Sequence, residues 1–254
     1  MNVVILGSSG IIGQHMQLYQ PPWASASYYR RDAGIAECKY ADVVVNLAGI
    51  ASVDYCESHE AESLALNFEF AYALAQFCED RDKRLVHVSS NAAVDPVNVY
   101  GRHKKWAELV VALFGCQIVR PSFVLGFRPD RQRGRVNPLE DWVERGPIAR
   151  REVGGVMFAA SLAPAVARRI WQIVRDDGYA GLQNVGTGTW DRWSLARLVY
   201  KAMGWDLALI ERVGQEEFAG THCRRPCDTT GPYKYFPDLA PKLVQMIEHH
   251  VGPQ

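Results

Sequence analysis

Short apolar runs recur through the first half of the chain, and each is long enough for one buried strand. The predicted strands are Val3–Leu6, Ala26–Tyr29, Asp42–Leu47 and 86–88. Between them, apolar residues recur every three or four positions, as they do on one face of a helix, and the longest such segments are about 57–79 and 100–114. Buried strands that alternate with amphipathic helices predict an α/β fold, a doubly wound parallel sheet.

The connection between the second and third predicted strands is short. Only about ten residues, Asp32–Ala41, lie between them, whereas a parallel crossover with its helix needs about a dozen residues or more. We therefore expect the strand that usually follows at this edge of a doubly wound sheet to be missing or reduced.

Beyond Pro121 the pattern becomes less regular, and the glycine, proline and arginine content rises. It predicts a long loop followed by helices at about 138–144, 162–175, 194–203 and 239–250. We expect Ser194 to cap the third of these helices. The chain then divides into a dinucleotide-binding domain at 1–120 and a mixed region at 121–254, which contributes the last elements of the sheet and a small substrate-binding lobe.

Composition narrows the classes of function. The chain has 254 residues, of which 48% are hydrophobic, which is enough for one α/β domain with an appended lobe. Its 28 basic residues balance 28 acidic ones, so no overall field favours nucleic acid or a membrane surface. We expect neither a membrane-spanning helix nor a signal peptide. Six scattered cysteines fit reduced thiols in the cytoplasm, and we expect no metal site, even at Cys223 and Cys227.

The first predicted strand leads directly into a glycine-rich turn, which opens onto a helical pattern. Glycines allow a tight turn and let backbone N–H groups approach a pyrophosphate at the helix N-terminus. In this position the spacing predicts a Rossmann-like dinucleotide site, with a plain structural turn as the alternative. The residues of the predicted site are Gly7, Ser9, Gly10, Ile11, Ile12 and Gly13.

The exits of two further strands add to this cofactor site. Leu47, Ala48 and Gly49 would let a ribose or a pyrophosphate lie against the backbone. Arg30 and Arg31 follow the second strand, where the adenosine ribose lies in folds of this kind. An acidic residue there selects NAD, whereas arginine accommodates the 2′-phosphate of NADP. We therefore favour NADP, with NAD as the other possibility; the alternative reading is a solvated arginine pair.

Three polar side chains near the middle of the chain suit proton transfer to an alcohol or ketone oxygen. Tyr100 and Lys104 are one helical turn apart and share a face, and Ser90 ends a neighbouring strand. A cation roughly 4 Å from a phenol, at an effective dielectric near 20, favours the phenolate by about 4 kcal/mol. That could lower the tyrosine pKa by as much as ~3 units, before burial raises it again. The alternative is a chance Tyr-x-x-x-Lys, and we expect His87 to be a satisfied core histidine.

Taken in order, these pieces resemble an extended short-chain dehydrogenase/reductase, and within that superfamily the dTDP-4-dehydrorhamnose reductase and NAD-dependent epimerase group. The matching segments are Gly7-x-x-Gly10-x-x-Gly13, Val43-Val44-Val45-Asn46-Leu47-Ala48, Val53-Asp54-x-x-Glu57-Ser58, Asn67, Leu85-Val86-His87-Val88-Ser89-Ser90, Val99-Tyr100-Gly101-x-x-Lys104 and Arg120-Pro121. They cover the first half of the chain well and the second half weakly.

The resemblance implies a role for each matching position. Ser90, Tyr100 and Lys104 would be the catalytic residues, and Tyr100, Lys104 and Pro121 would also contact the cofactor. The activity implied is NADPH-dependent reduction of a 4-keto nucleotide sugar. The helices at 57–79 and 99–114 would form the face of a possible homodimer.

The departures from the family pattern concern the substrate. Asn91-Ala92 follows Ser90 where the reductases usually have Asp and an aromatic residue, and where the dehydratases have Asp-Glu. This argues against dehydration and places Asn91 among the expected substrate contacts. Phe123 is the nearest aromatic residue to a tryptophan often found after Arg-Pro in the family. Arg225 belongs to a second Arg-Pro that the family places near the nucleotide.

Two other functions use the same motifs. A nucleotide-sugar 4-epimerase with tightly bound NAD needs the same three catalytic residues, so these residues do not separate it from a reductase. A non-catalytic, cofactor-binding regulatory protein is the third possibility. The short connection on the adenine side favours that possibility, while the presence of Ser90, Tyr100 and Lys104 argues against it.

Overall fold

The structure is a computed structural model, and it describes residues 1–30, 32–131, 134, 136–176, 181–217 and 239–252. Its strands are β1 (Asn2–Leu6), β2 (Ser25–Tyr29), β3 (Val43–Asn46), β4 (Arg84–Val88), β5 (Gln117–Pro121), β6 (Phe123–Leu125), β7 (Arg150–Val153), β8 (Phe158–Leu162), β9 (Leu182–Val185), β10 (Thr187–Trp190) and β11 (Ile210–Val213). Its α-helices are α1 (Ile11–Leu18), α2 (Val53–Ser58), α3 (Glu60–Leu64), α4 (Phe70–Glu79), α5 (Val99–Leu113), α6 (Pro138–Glu144), α7 (Ala163–Arg175), α8 (Arg192–Ala202) and α9 (Leu239–Val251).

A six-stranded parallel sheet in the order β2-β1-β3-β4-β5-β9 forms the centre of the molecule. Side chains of successive strand residues face opposite sides, so Val43 and Val45 join the core beneath α1 and α7, while Val44 joins the core beneath α4 and α5. Each fully buried side chain of this size stabilises the fold by about 1.5–3 kcal/mol. This confirms the predicted doubly wound α/β fold.

The predicted loss of a strand is also confirmed. Within the described residues between β2 and β3, the chain forms only a 3₁₀ helix, Ile35–Cys38, and β2 is the last strand on its side of the sheet. Cys38 is fully buried against the sheet, so this short turn covers the surface that a longer crossover helix would otherwise cover.

The helix predicted at 57–79 is wrong in its start and its continuity. Helix α2 begins at Val53, where the Ser52 hydroxyl accepts a hydrogen bond from the Tyr55 N–H. The helix breaks at His59, which has a non-helical backbone and stacks its ring on that of Tyr55 at 4.0 Å. A π-helical turn, Ala65–Glu69, then interrupts the regular helix again before α4. Such turns often place a polar side chain where the regular helix would not.

The chain after β5 leaves the central sheet, forms a smaller unit and returns once. Strands β10, β8 and β6 form one small sheet and β11 and β7 another, and they pack with α6, α8 and α9 around a separate apolar core. We call this unit the C-terminal lobe. Helix α7 and strand β9 belong instead to the central sheet and its layers.

Helix α8 begins at Arg192 and not at Ser194, so the predicted cap is wrong. Asp191 is the N-cap, and its carboxylate accepts a hydrogen bond from the Ser194 N–H at 2.7 Å. The Ser194 hydroxyl in turn accepts one from the Asp191 N–H at 3.1 Å. The two residues form a capping box, in which serine occupies the third helical position.

Two further properties concern the described residues as a set. No helix among them is long and apolar enough to cross a membrane. They contain no group of three His, Cys, Asp or Glu side chains that could hold a metal ion. The cysteines Cys38, Cys56, Cys78 and Cys116 are buried free thiols, whereas Cys223 and Cys227 lie outside the described range.

Candidate active site

The glycine-rich turn after β1 is packed against the backbone of two neighbouring segments. Gly7 has a φ of +83°, and a Cβ there would lie 2.6 Å from the Ala48 nitrogen. A Cβ at Gly13 would lie 2.5 Å from Cα of Ser8. Both positions therefore require glycine, and the turn keeps its shape because the N–H groups of Gly7 and Ser8 donate to the Tyr29 carbonyl at 2.9 Å.

The N-terminus of α1 has no side-chain cap among the described residues. Its N-cap, Gly10, has extended backbone and no side-chain cap, and a Cβ there would meet only the Gly7 carbonyl at 3.6 Å. The first N–H groups of a helix lack intrahelical partners and carry the positive end of its dipole. An anion such as a pyrophosphate therefore fits at Gly10, Ile11 and Ile12.

The exit of β3 is held by two buried asparagines. The Asn46 side-chain oxygen accepts a hydrogen bond from the Ala48 N–H at 3.0 Å. The Asn67 amide, in the π-helical turn, both accepts from the Ile50 N–H at 2.9 Å and donates to the Ile50 carbonyl at 3.1 Å. Asn67 thus ties the backbone of the β3 exit to the π-helical turn.

Gly49 lies in the narrow space between Asn67 and α5. A Cβ at Gly49 would lie 2.9 Å from the Asn67 side-chain oxygen and 3.7 Å from the Lys104 ammonium nitrogen. The backbone of the β3 exit therefore passes directly in front of Lys104. The predicted cofactor residues Leu47, Ala48 and Gly49 and the predicted catalytic lysine meet at the same edge of the sheet.

Helix α5 is fixed at its start by two acceptors. The Asn98 side chain accepts from the Gly101 N–H at 2.8 Å, and the Glu57 carboxylate accepts from the Val99 N–H at 2.7 Å. Gly101 presses against the loop after β4, because a Cβ there would lie 2.7 Å from the Ala92 carbonyl. These contacts set the position of Tyr100 in the first turn of the helix.

The loop after β4 brings Ser90 to Tyr100. The Ser90 hydroxyl accepts a hydrogen bond from the Ala92 N–H at 3.2 Å, and it is close enough to Tyr100 to lower the pKa of that phenol. Lys104 lies one turn further along α5, is 4% exposed, and donates to the Val88 carbonyl at 3.0 Å. The structure therefore brings Ser90, Tyr100 and Lys104 together at the carboxyl end of β4.

Burial sets the protonation of this trio. It raises the pKa of Tyr100 to about 12, and the nearby Ser90 hydroxyl opposes only part of that rise. Burial therefore decides the direction of the shift, and the lowering that the sequence argument expected from the Lys104 charge does not occur. Burial also lowers the pKa of Lys104 to about 8, against the opposing effect of the Glu108 carboxylate. At neutral pH the phenol keeps its proton and the amine stays mostly charged.

His87 belongs to β4, lies near Lys104 of α5 and is 1% exposed. Its Nδ1 is 3.3 Å from the Asn46 side-chain nitrogen, while its Nε2 has no hydrogen-bond partner among the described residues. Burial, with a smaller effect of the Lys104 charge, lowers its pKa well below the ordinary value, so the ring is neutral. The expectation of a satisfied core histidine is thus correct for one ring nitrogen only.

The predicted substrate residues have different surroundings. The Asn91 side chain is buried and donates to the Ser122 hydroxyl at 3.3 Å. Phe123 is half-buried and stacks on Phe158 with ring centroids 4.4 Å apart. Pro121 is buried as the last residue of β5. Arg225 lies outside the described residues.

Of the two arginines predicted to select NADP, the structure describes one. Arg30 follows β2, and its side chain is 77% exposed and 3.8 Å from the Asp32 carboxylate. An exposed pair at this distance is worth less than about 1 kcal/mol, so Arg30 can turn readily to another anion. Arg31 lies outside the described residues.

The long loop predicted after Pro121 lies over the glycine-rich turn. The Asp130 N–H donates to the Gln14 side chain at 2.8 Å, and a Cβ at Gly134 would lie 2.6 Å from the Ser9 carbonyl. Within this loop, Arg128 is held by Glu140, with Nε and Oε2 2.8 Å apart and both side chains buried. Sequence reasoning did not find this pair, because nothing local links the two residues.

Two other features escaped the sequence analysis although a local signal was present. Asn98 stands three residues before Gly101, as an N-cap does, and identifies the start of α5. Glu108 stands four residues after Lys104, on the same face of α5. Its partner, Arg120, was noted only as part of an Arg-Pro motif.

Comparison with known proteins agrees with this geometry. Residues 1–230 match the family described as the RmlD substrate binding domain. A dTDP-4-dehydrorhamnose reductase of Mycobacterium tuberculosis (strain CDC 1551 / Oshkosh) is 26% identical, over 85% of this chain and 80% of its own length. A dTDP-4-keto-6-deoxy-D-glucose reductase of Streptomyces niveus is 27% identical, over 71% of this chain and 67% of its own.

The fold is also similar to that of a solved structure. The dTDP-4-dehydrorhamnose reductase of Bacillus anthracis str. Ames, determined in complex with NADP, superposes with a TM-score of 0.83. The comparison covers 98% of this chain and 99% of that chain at 16% identity.

Proposed function

Since the chain belongs to the RmlD substrate binding domain family, we propose that it is an NADPH-dependent reductase of a 4-keto nucleotide sugar. The observation that carries this proposal is the meeting of Ser90, Tyr100 and Lys104 at the edge of the sheet where the helix N-terminus of the glycine-rich turn also lies. Ligands of doubly wound folds bind at this edge.

In this reaction NADPH, when bound, supplies a hydride to the ketone carbon. Tyr100 donates its proton to the ketone oxygen as that oxygen gains negative charge, and the Ser90 hydroxyl donates a hydrogen bond to the same oxygen. Because burial raises the pKa of Tyr100 to about 12, the phenol holds its proton at neutral pH, as a proton donor must. Lys104 supplies the positive charge that stabilises the phenolate left behind.

The residues around this trio fit the parts of NADP. The uncapped start of α1 at Gly10, Ile11 and Ile12 would hold the pyrophosphate. Arg30, which is exposed, would bind the 2′-phosphate. Lys104 makes one hydrogen bond within the described residues and has three donors, so it can also bond the nicotinamide ribose beside Gly49.

The substrate class follows from the relatives, whose named substrates are dTDP-linked 4-keto sugars. We place the sugar ring between Tyr100, Asn91 and Phe123. The Asn91 side chain is buried and donates to Ser122. Its place after Ser90, where the reductases usually have Asp, favours a sugar other than dTDP-4-dehydrorhamnose itself.

We also propose that the protein works in the cytoplasm as a homodimer. Helices α4 and α5 expose several large apolar side chains on one side of the molecule. They are Tyr72, Trp106, Leu109 and Leu113. A second copy packed on these helices would cover them, and sedimentation of the wild type against Leu109→Lys/Leu113→Lys would test this. A monomeric wild type would contradict the proposal.

The deciding experiment measures cofactor oxidation by the purified protein, with 4-keto sugars made in place from dTDP-glucose by a 4,6-dehydratase. We expect NADPH consumption, and a fall of about 10²–10⁴-fold in kcat for Tyr100→Phe, with NADPH affinity retained. Tyr40→Phe is the matched control, since it removes a tyrosine hydroxyl at a side chain that is 77% exposed.

Other outcomes identify the alternatives. Tightly held NAD, with sugar interconversion and no net consumption of cofactor, would establish the epimerase and overturn the reductase. Binding of NADPH without turnover of any keto sugar, and no effect of Tyr100→Phe on cellular function, would instead establish a non-catalytic role.

A further inference from the structure

A charged pair is buried behind the candidate active site, between α5 and the end of β5. Arg120 donates from Nε to Oε1 of Glu108 at 2.6 Å and from Nη2 to Oε2, so the two groups are joined by two parallel hydrogen bonds. Glu108 is 3% exposed and the Arg120 side chain 12%. Such geometry fixes the carboxylate in one orientation.

The pair is placed one helical turn behind the candidate catalytic lysine. Glu108 follows Lys104 by four residues on α5, so both side chains are on the same face of the helix. The other titratable groups that act on Lys104 or are acted on by it are Cys56 of α2 and His87 of β4. Among the described groups that act on Lys104, Glu108 is the one carboxylate.

A buried amine needs such a neighbour. Burial of a lysine favours its neutral form, and at Lys104 it does so strongly. Within the described residues the ammonium makes one hydrogen bond, to the Val88 carbonyl, and a carbonyl oxygen alone is weak compensation for a buried charge. The Glu108 carboxylate at the next turn opposes the effect of burial on the pKa of Lys104.

We propose that Glu108 and Arg120 are positioning residues for Lys104: Glu108 keeps the lysine protonated, and Arg120 holds Glu108 in place and limits its effect. The arginine matters because an unpaired carboxylate at this site would also oppose ionisation of Tyr100. Glu108 raises the pKa of Tyr100, in the same direction as burial does. This inference rests on the proposed function for its meaning in catalysis, although the charge state of Lys104 is a property of the protein alone.

The competing explanation is mechanical. A bidentate pair between α5 and β5 could simply hold these two elements together, and then removal of either partner would have the same consequence. The two explanations predict different changes in the pKa of Lys104. If the pair controls the charge of Lys104, loss of Glu108 must lower the lysine pKa and loss of Arg120 must raise it.

The first test needs neither substrate nor cofactor. The chain has seven lysines, so the ¹³Cε resonances of the labelled protein can be followed with pH, and Lys104→Met assigns the resonance of interest. We expect the Lys104 midpoint to fall by about one pH unit or more in Glu108→Gln and to rise in Arg120→Met. Exposed Lys201 serves as the internal control, with an unchanged midpoint.

The second test connects the charge to turnover. In the wild type, we expect kcat/KM to fall as pH rises through the pKa of Lys104. We expect this fall to move to lower pH in Glu108→Gln and to higher pH in Arg120→Met, with Arg120→Lys near the wild type because it keeps the charge. If Glu108→Gln does not fold, Glu108→Gln/Arg120→Met removes both charges together. Its midpoint must then lie below that of Arg120→Met, because the two variants differ only in the Glu108 charge.

Each result has one meaning. Midpoints that move in opposite directions support the inference, whether or not a keto sugar is turned over. Midpoints that stay fixed, or move together, while both variants lose thermal stability would overturn it and leave a structural clamp. A failure of the proposed function shows separately, as absence of NADPH consumption by the wild type.

Discussion

The central-sheet half of the molecule and the C-terminal lobe hold their buried polar groups by different means. Around the sheet, neutral groups predominate: Asn46, Asn67 and His87 bond to backbone or to each other, and glycines let backbone approach backbone. In the lobe, Arg–carboxylate pairs hold the buried polar groups. They are Arg128–Glu140, Arg150–Asp141 and Arg192–Glu152.

The difference reflects what each half has to do. The edge of the sheet must present backbone N–H groups and one cation to a charged cofactor, and further buried charges there would disturb both. The lobe instead has to fix long loops between short strands, where a few strong, directional pairs suffice. Glu108–Arg120 is a charged pair on the sheet side, and it lies next to the cation that it is proposed to control.

The largest expected effect is on the stability of the lobe. Glu140 accepts hydrogen bonds from Nε of Arg128 at 2.8 Å and from the Asn137 N–H at 3.3 Å. Glu140→Gln leaves Arg128 buried without a carboxylate, and we expect a loss of about 3–5 kcal/mol in the free energy of unfolding, measured with urea. Glu144→Gln, in the same helix but in a more exposed pair with Arg131, is the control, with a loss below about 1 kcal/mol.

Equal losses for Glu140→Gln and Glu144→Gln would break the comparison, since the lobe would then not depend on its buried pairs.

The next effect is on turnover and tests the sheet half. Gly101→Ala places a Cβ 2.7 Å from the Ala92 carbonyl and 3.2 Å from the Asn98 side chain. The start of α5 must shift away from the Ser90 loop, so we expect kcat to fall about tenfold or more, because proton transfer depends on alignment. NADPH affinity should change little. Gly34→Ala, whose Cβ meets nothing closer than 4.0 Å, is the matched control.

A smaller effect is expected on cofactor choice. Arg30→Ala removes a candidate partner of the 2′-phosphate, and the Kd for NADPH should rise about tenfold, which corresponds to about 1.4 kcal/mol. The Kd for NADH should not change. Fluorescence titration of both cofactors measures this, with Asp32→Asn as the control for the neighbouring charge. Equal losses for NADPH and NADH would refute a role in selecting the phosphate.

The smallest effect concerns pH. Burial keeps His87 neutral in the folded protein by lowering its pKa well below 6.5, whereas the unfolded chain protonates near 6.5. The unfolded state then binds more protons, so stability is lost as pH falls below about 6.5, by up to about 1.4 kcal/mol per pH unit. His87→Gln should flatten this dependence between pH 7 and 5.5, and exposed His249→Gln should not. An unchanged slope in His87→Gln would show that other titratable groups cause the dependence of stability on pH.

The sequence analysis predicted the features that depend on residues close in the chain. The glycine-rich turn, the short connection after β2 and the Tyr100–Lys104 spacing each follow from a local rule. The break at His59 and the cap at Asp191 were missed, because ring stacking and competing capping residues decide them, and helical periodicity records neither.

The rest of the site depends on residues far apart. Glu57 caps α5 from 42 positions away, and Ser122 bonds Asn91 across 31 positions. No periodicity encodes such contacts, since they exist only after the sheet has formed. The effect of burial on the pKa of Tyr100 could not be predicted either, because it depends on how completely the folded chain excludes water there.

The short connection after β2 has a consequence for association between molecules. Among the described residues β2 has a neighbour on one side only, so its other side offers unpaired N–H and C=O groups to any extended chain. The strand is five residues long, carries the exposed serines Ser25 and Ser27, and is followed by charged Arg30. Shortness, polarity and charge all discourage edge-to-edge pairing, so the sheet ends at this edge with little tendency to recruit another strand.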